Sequence, residues 1–399
     1  MKLSSKIQKC ELSPIRKYAP YADAARARGI KIYPLNIGQP DIETPVEFFN
    51  AVREFKSPVL EYAPSGGVPV YLKAVHDYYT RIGLDLEPSD ILATAGGSEA
   101  LWIALACILD DGDELLAPEP FYPNYSTFTQ MTGATIRPIP TFAEEGFRYA
   151  VRERIEPLIN EHTRGILMTN PGNPTGYVLS RAEMRVIADI AKEHGLYVIS
   201  DEVYREFVYG GEEMTSMLEF ADTHENVIVI DSVSKRFSAC GARVGALVSR
   251  NKAFMTEAMK ICQPRLCVAP LDQVGAAALY SVQPEYFKTV RDEYKRRRDT
   301  AMKKLKAIPG LVCEQPEGAF YFMVKLPVDN TDKFQQWLLE EFNTDGDTVM
   351  LTPGEGFYAT PGKGVNEARL AYVLKQPDLE RALDILALAI EEYNKRYTE

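Results

Sequence analysis

The chain has 399 residues and a formal net charge of −11 with a sequence pI near 5.2, and its 46% hydrophobic, 10% aromatic and 25% charged residues are ordinary for a globular protein. That acidic balance argues against broad nucleic-acid binding, which needs an excess of Lys and Arg, and the apolar content argues against extended disorder. No apolar run is long enough to cross a bilayer, residues 1–20 lack the apolar core of a secretory signal, and the six cysteines lack the close pairing of a zinc site; the expected setting is a reducing cytoplasm, with no membrane or metal partner.

In chain order, the Pro-bearing stretches 34–45 and 61–69 read as structured loops. Residues 91–95 read as a strand, Gly96, Gly97 and Ser98 as a tight turn, and residues 99–109 as an amphipathic helix. Strand-like runs recur at 114–117, 135–139, 165–169, 196–200 and 227–230, with a clear helical pattern at 181–194. Such alternation predicts an α/β large domain: a mainly parallel sheet flanked by helices, binding ligand beyond the carboxyl ends of its strands.

Farther on, residues 278–308 form one long charged helical pattern. Its basic run 295–298 is flanked by Asp292, Glu293 and Asp299, which predicts a solvated helix face. Residues 311–314 and 319–325 and a closing helix at 379–396 predict a smaller α+β domain. The expected division is an N-terminal arm, 1–45, that contributes to the small domain, a large ligand-binding domain, 46–290, and a small domain, 291–399.

The most informative segment is the polar loop after the 227–230 run: Asp231, Ser232, Val233, Ser234, Lys235, Arg236 and onward through Arg243 to Gly245. A lysine can form an imine with an aldehyde, while Ser232, Ser234 and Arg243 suit a phosphate. Downstream of the 196–200 run come Asp201 and Tyr204, which place a carboxylate and a phenol just beyond a strand end. Gly97 and Ser98, opening a helix, offer backbone N–H groups to an anion.

This segment resembles the cofactor-lysine segment of the class I and II aminotransferases, the aspartate aminotransferase family of fold type I, and departs from it in having Ala242 where many relatives have Trp. Asn170, Pro171, Gly172, Asn173, Pro174, Thr175 and Gly176 resemble a second motif of that family. The resemblance implies pyridoxal 5'-phosphate held by Lys235. Asp201 would lie at the ring nitrogen, Asn173 and Tyr204 at the phenolic oxygen, and Gly97, Ser98, Ser232, Ser234 and Arg243 around the phosphate. Tyr122, in Pro120-Phe121-Tyr122, would stack on the ring, and Tyr62 would reach the neighbouring subunit's phosphate in a homodimer.

For substrate, the resemblance implies Gly38, Asn173 and Arg369 at the α-carboxylate, with Arg265 near the region where some members place a side-chain carboxylate ligand from the neighbouring subunit; a structural surface or interface role for Arg265 stays equally open. The implied reaction is ping-pong transfer from an L-amino acid, aspartate or glutamate as the first choice, to a 2-oxo acid such as 2-oxoglutarate, with the Lys235 amine as general base and acid. A β-lyase, an aromatic or alanine aminotransferase, and a non-enzymatic cofactor sensor stay open. A nucleotide site at Gly96-Gly97-Ser98 lacks the expected Gly-x-Gly-x-x-Gly or Gly-Lys-Ser signature.

Overall fold

A computed structural model describes residues 1–210 and 214–397. Its strands are β1 (Lys31–Pro34), β2 (Ile91–Thr94), β3 (Glu114–Glu119), β4 (Thr135–Pro140), β5 (Thr163–Thr169), β6 (Tyr197–Asp201), β7 (Val227–Ser232), β8 (Gly245–Val248), β9 (Tyr321–Lys325), β10 (Asp347–Met350), β11 (Thr352–Pro353) and β12 (Glu367–Ala371).

Seven of them form one sheet in the order β2-β8-β7-β6-β5-β3-β4. The pairs from β4 through β7 are parallel, and β8 runs antiparallel to both β7 and β2. The reversal follows from the connection: residues 233–244 hold only short helical turns and return the chain at the end of the sheet it left, whereas a parallel neighbour would need a crossover. β2 therefore points the same way as β3 to β7, and six strands deliver their carboxyl ends to one edge.

Local signals explain the flanking helices. Arg181–His194 begins with a reciprocal capping box between Ser180 and Glu183 and stops at Gly195, whose φ of 64° is left-handed. Gly97–Ile108 is buried along most of its length, as a helix lying against a sheet must be. Buried clusters fill both faces of the large sheet, one around Val198, Val229 and Ile187, the other around Leu115, Ile199 and Leu101.

The long pattern expected over 278–308 is two helices, Pro270–Leu279 and Pro284–Leu305. Pro284 opens the second, where its missing N–H is an orphan donor in any case, and it cannot continue the first. Tyr286 and Phe287 pack on the large-sheet core, while Val290, Tyr294 and Leu305 belong to a separate core around β9 and β12. The expected boundary at 290/291 thus falls inside a helix shared by two cores. That helix bears out the solvated-face reading for Lys295 and Arg296, which are exposed, and corrects it for Arg297 and Arg298, which are buried, the first bonded to Asp41 and the Val373 carbonyl, the second at 3.0 Å from the Pro316 carbonyl.

The smaller part contains the antiparallel sheet β11-β12-β9, the parallel pair β1-β10 and the helix Gln376–Tyr397. Through β1 and through Tyr18 and Ala22, which pack on Leu339 and Met350, the N-terminal arm joins this part. Its first turn does otherwise, since Lys6 Nζ donates to the Thr132 carbonyl of the large-sheet side at 3.0 Å. No helix among the described residues is long and apolar enough to cross a membrane.

Candidate active site

At the end of β7 the chain enters one helical turn, Val233–Arg236, which Ser232 caps by accepting the Ser234 N–H at 3.1 Å. Beneath it, Arg236 pairs with Asp231 at 2.8 Å, both side chains about 1% exposed, and stacks on Tyr78 at 4.1 Å. With Val233 and Arg236 buried in the core, Lys235 reaches the strand-end edge. Its amine donates to the Gly38 carbonyl at 2.8 Å and lies 3.8 Å from Cys240 Sγ.

Asp201 ends β6, the next strand. Burial pushes its carboxyl up to about 6, opposed by a 2.6 Å hydrogen bond that Tyr125 donates to Oδ2. Among the described residues Oδ1 has only the Val203 N–H, at 3.4 Å, which leaves it able to accept from a ring N–H. Asn173 Nδ2 donates to the Tyr204 hydroxyl at 3.4 Å, and Tyr204 shares a 2.9 Å bond with Tyr321. Burial holds the Tyr204 phenol well above its usual range, so it acts as a protonated donor.

From β12 of the small sheet comes Arg369, buried, donating to Asn173 Oδ1 at 3.1 Å and to the Asn36 carbonyl at 2.7 Å. The Tyr321 ring lies 4.6 Å and the Phe357 ring 5.2 Å from its Cζ. Arg369 Nε is buried with no hydrogen-bond partner among the described residues, a donor left for a ligand. Gly38 is required next to it: a Cβ there would overlap the Tyr321 hydroxyl and ring.

The turn after β2 forms a cradle. Gly96 has a φ of 82°, and a side chain on it would strike the Arg243 guanidinium. Arg243 itself is left-handed at φ 52° and is held by its bonds to the Ala95 and Cys240 carbonyls, each 3.1 Å. Gly97 lies beside Ser232, whose hydroxyl is 2.8 Å from that of Ser234. The start of the helix Gly97–Ile108, two hydroxyls and one guanidinium therefore lie around one turn, a donor set that fits a phosphate. With a lysine, a buried carboxylate and two phenol or amide donors on the same edge, the residues present fit pyridoxal phosphate.

Tyr122 belongs to this group: Arg369, Tyr321 and Asp201 all act on its phenol, which burial raises, and it meets Tyr125 edge-on at 5.7 Å. Tyr62 does not join it, being 80% exposed. Nor does Arg265. Within the single chain its guanidinium is bonded to Glu99 at 3.0 Å and to the Ser65 and Ala93 carbonyls at 2.9 and 3.3 Å, the surroundings of a brace behind the cradle, where Glu99 also accepts the Ala95 N–H at 2.6 Å. Sequence reading missed Tyr125, Tyr321, Asn36 and Phe357. Only Tyr125 carried a signal, one turn after Tyr122 on the same loop and helix start.

Comparison with known proteins covers this whole arrangement. Residues 30–386 match the family model for aminotransferase class I and II. The chain is 30% identical over 98% of its length to the probable aspartate/prephenate aminotransferase of Aquifex aeolicus, 99% of which is covered. It is 32% identical over 90% of its length to an aspartate aminotransferase of Pyrococcus horikoshii, 90% of which is covered. Its structure matches alanine aminotransferase from Pyrococcus furiosus with a TM-score of 0.88 at 30% identity, over 98% of this chain and 100% of that one. Because the match begins just before β1 and runs into the last helix, both sheets and every strand that supplies the site lie within it, and the chain belongs to the class I and II aminotransferases.

Proposed function

We propose that the protein is a pyridoxal-phosphate-dependent aminotransferase that transfers the amino group of aspartate or glutamate to a 2-oxo acid such as 2-oxoglutarate by a ping-pong cycle. The observation that carries this reading is the Lys235 amine standing on the edge that also presents the Arg243 cradle, the buried Asp201 carboxylate and the Arg369 guanidinium.

Bound pyridoxal phosphate supplies an aldehyde for amine exchange and a protonated ring that takes up electron density. Gly97, Ser98, Ser232, Ser234 and Arg243 hold the phosphate. Asp201 Oδ1 would accept from the ring nitrogen and favour its protonated form, and Asn173 and Tyr204 would donate to the phenolic oxygen. Tyr122 covers the ring. Arg369 binds the substrate α-carboxylate through two N–H groups, with Asn173 and the Gly38 backbone beside it. The Lys235 Nζ amine would take the α-proton as base and return it as acid. Tyr62, exposed on the single chain, extends to the neighbouring cradle in a cytoplasmic homodimer.

Support for a dicarboxylic donor is the naming of aspartate in two of the relatives above; the alanine enzyme makes a small neutral donor the second reading. An absorbance scan of the purified protein, followed by a panel of amino acids, tests both. Conversion of the lysine-bound band by aspartate or glutamate, with formation of pyridoxamine phosphate and a 2-oxo acid, is expected. Conversion by alanine or aromatic donors alone overturns the donor assignment, and release of pyruvate with ammonia or a thiol overturns transamination.

A further inference from the structure

Glu119, the last residue of β3, is 1% exposed. A carboxylate at that depth persists only when its lone pairs are satisfied, and every partner its side chain has among the described residues lies on one turn of the other sheet. Oε2 accepts the backbone N–H of Ala359 at 3.2 Å and of Thr360 at 3.1 Å; Oε1 accepts the Thr360 hydroxyl at 2.8 Å and pairs with Lys363 at 3.2 Å. Two residues on, the Phe121 N–H donates to the Phe357 carbonyl at 2.9 Å.

The same turn, residues 354–364, is fixed on its other side to β12. Gly354 donates to the Glu367 carbonyl at 2.7 Å, leaves no space for a Cβ against the Glu367 and Gly364 carbonyls, and Tyr358 bonds the Glu367 carboxylate. Phe357, 0% exposed, rides on this turn and lays its ring 5.2 Å from Arg369 Cζ. One carboxylate from the large sheet therefore pins the segment that backs the guanidinium on the small sheet.

We propose that Glu119 is a positioning residue for substrate carboxylate recognition: it clamps the 354–364 turn onto the large sheet and so holds Phe357 against Arg369. The inference rests on Arg369 as the carboxylate anchor. Glu119 touches neither substrate nor cofactor in this role. Releasing the clamp frees two backbone N–H groups to water and lets Phe357 leave the guanidinium, which then samples orientations that do not meet the carboxylate. Asp201 ends β6 and Lys235 stands on the helical turn that follows β7 of the large sheet, so both keep their places; binding suffers and chemistry does not.

The test compares holoenzymes carrying Glu119→Ala, Glu119→Gln and Lys363→Met with the parent, reading KM and kcat for donor and acceptor, the cofactor absorbance, and hydrogen exchange across residues 354–364. Glu119→Ala is expected to raise both KM values about tenfold with kcat within about twofold, the pattern of a lost ground-state contact, with unchanged absorbance and faster exchange. Glu119→Gln and Lys363→Met should shift KM in the same direction by less. Faster exchange at unchanged KM overturns the proposal, as does a fall in kcat at unchanged KM. If Glu119→Ala does not fold, unchanged KM in the other two overturns it. Absence of aminotransferase activity in the parent would instead remove the functional reading, and exchange in the variants would still report whether Glu119 holds the turn.

Discussion

The Tyr125 hydroxyl donates a 2.6 Å hydrogen bond to Asp201 Oδ2 and lies 2.6 Å from Thr169 Oγ1, which ties a helix-start residue to the carboxylate at the end of β6. Burial raises the Asp201 carboxyl to about 6, and Tyr125 opposes that rise. Tyr125→Phe therefore lifts it further. In the proposed reaction the ionised form supports the ring nitrogen, so the acid limb of the kcat profile is expected to move to higher pH and kcat at neutral pH to fall; the pH profile of the purified variant checks this.

The same carboxyl makes the ligand-free protein's stability depend on pH. Its folded value lies above the unfolded 3.8, so between about pH 4 and 6 the folded state binds more protons and stability falls as pH rises. The cost above pH 6 is on the order of 2–3 kcal/mol. Asp201→Asn, which keeps an acceptor for Tyr125 but cannot ionise, should be more stable than the parent above pH 6 by denaturant titration, with the advantage gone below about pH 4.

Gly38 tests the close approach of loop and small sheet. Gly38→Ala places a methyl inside the Tyr321 ring and hydroxyl, so either Tyr321 leaves its 2.9 Å bond to Tyr204 or the Gly38 carbonyl leaves the Lys235 amine. Because both contacts belong to the site, kcat/KM is expected to fall at least about tenfold, the cost of a misplaced contact of about 1.4 kcal/mol. Steady-state kinetics with unaltered thermal stability would assign the loss to the site and not to the fold.

What could be read from the chain was what neighbouring residues decide. The helix Arg181–His194 matched its expected span because Ser180, Glu183 and Gly195 set both ends locally. Lys235, Asp201 and Asn173 sit on strand ends, and continuous apolar runs mark those strands. Arg297 and Arg298 were misread for the opposite reason: Arg297 finds Asp41 256 positions away, so only the fold turns these charges inward. β8 has four residues, too few for a periodicity, and its direction follows from the connection before it.

Arg265 supplies the last prediction, since its two roles give opposite results. A guanidinium reading a substrate's side-chain carboxylate would, on removal, cut activity toward aspartate while sparing alanine. The geometry instead has it shared between Glu99 and the carbonyls of Ser65 and Ala93, with side chains only 17% and 20% exposed for the ion pair. Arg265→Ala leaves Glu99 half-buried without its cation while Glu99 still accepts the Ala95 N–H next to the cradle. We expect a stability loss of about 1–3 kcal/mol, weaker retention of pyridoxal phosphate on dialysis, and an aspartate-to-alanine preference changed by less than about twofold, a difference of roughly 0.4 kcal/mol. A selective loss of dicarboxylate activity at parental stability would return Arg265 to the substrate.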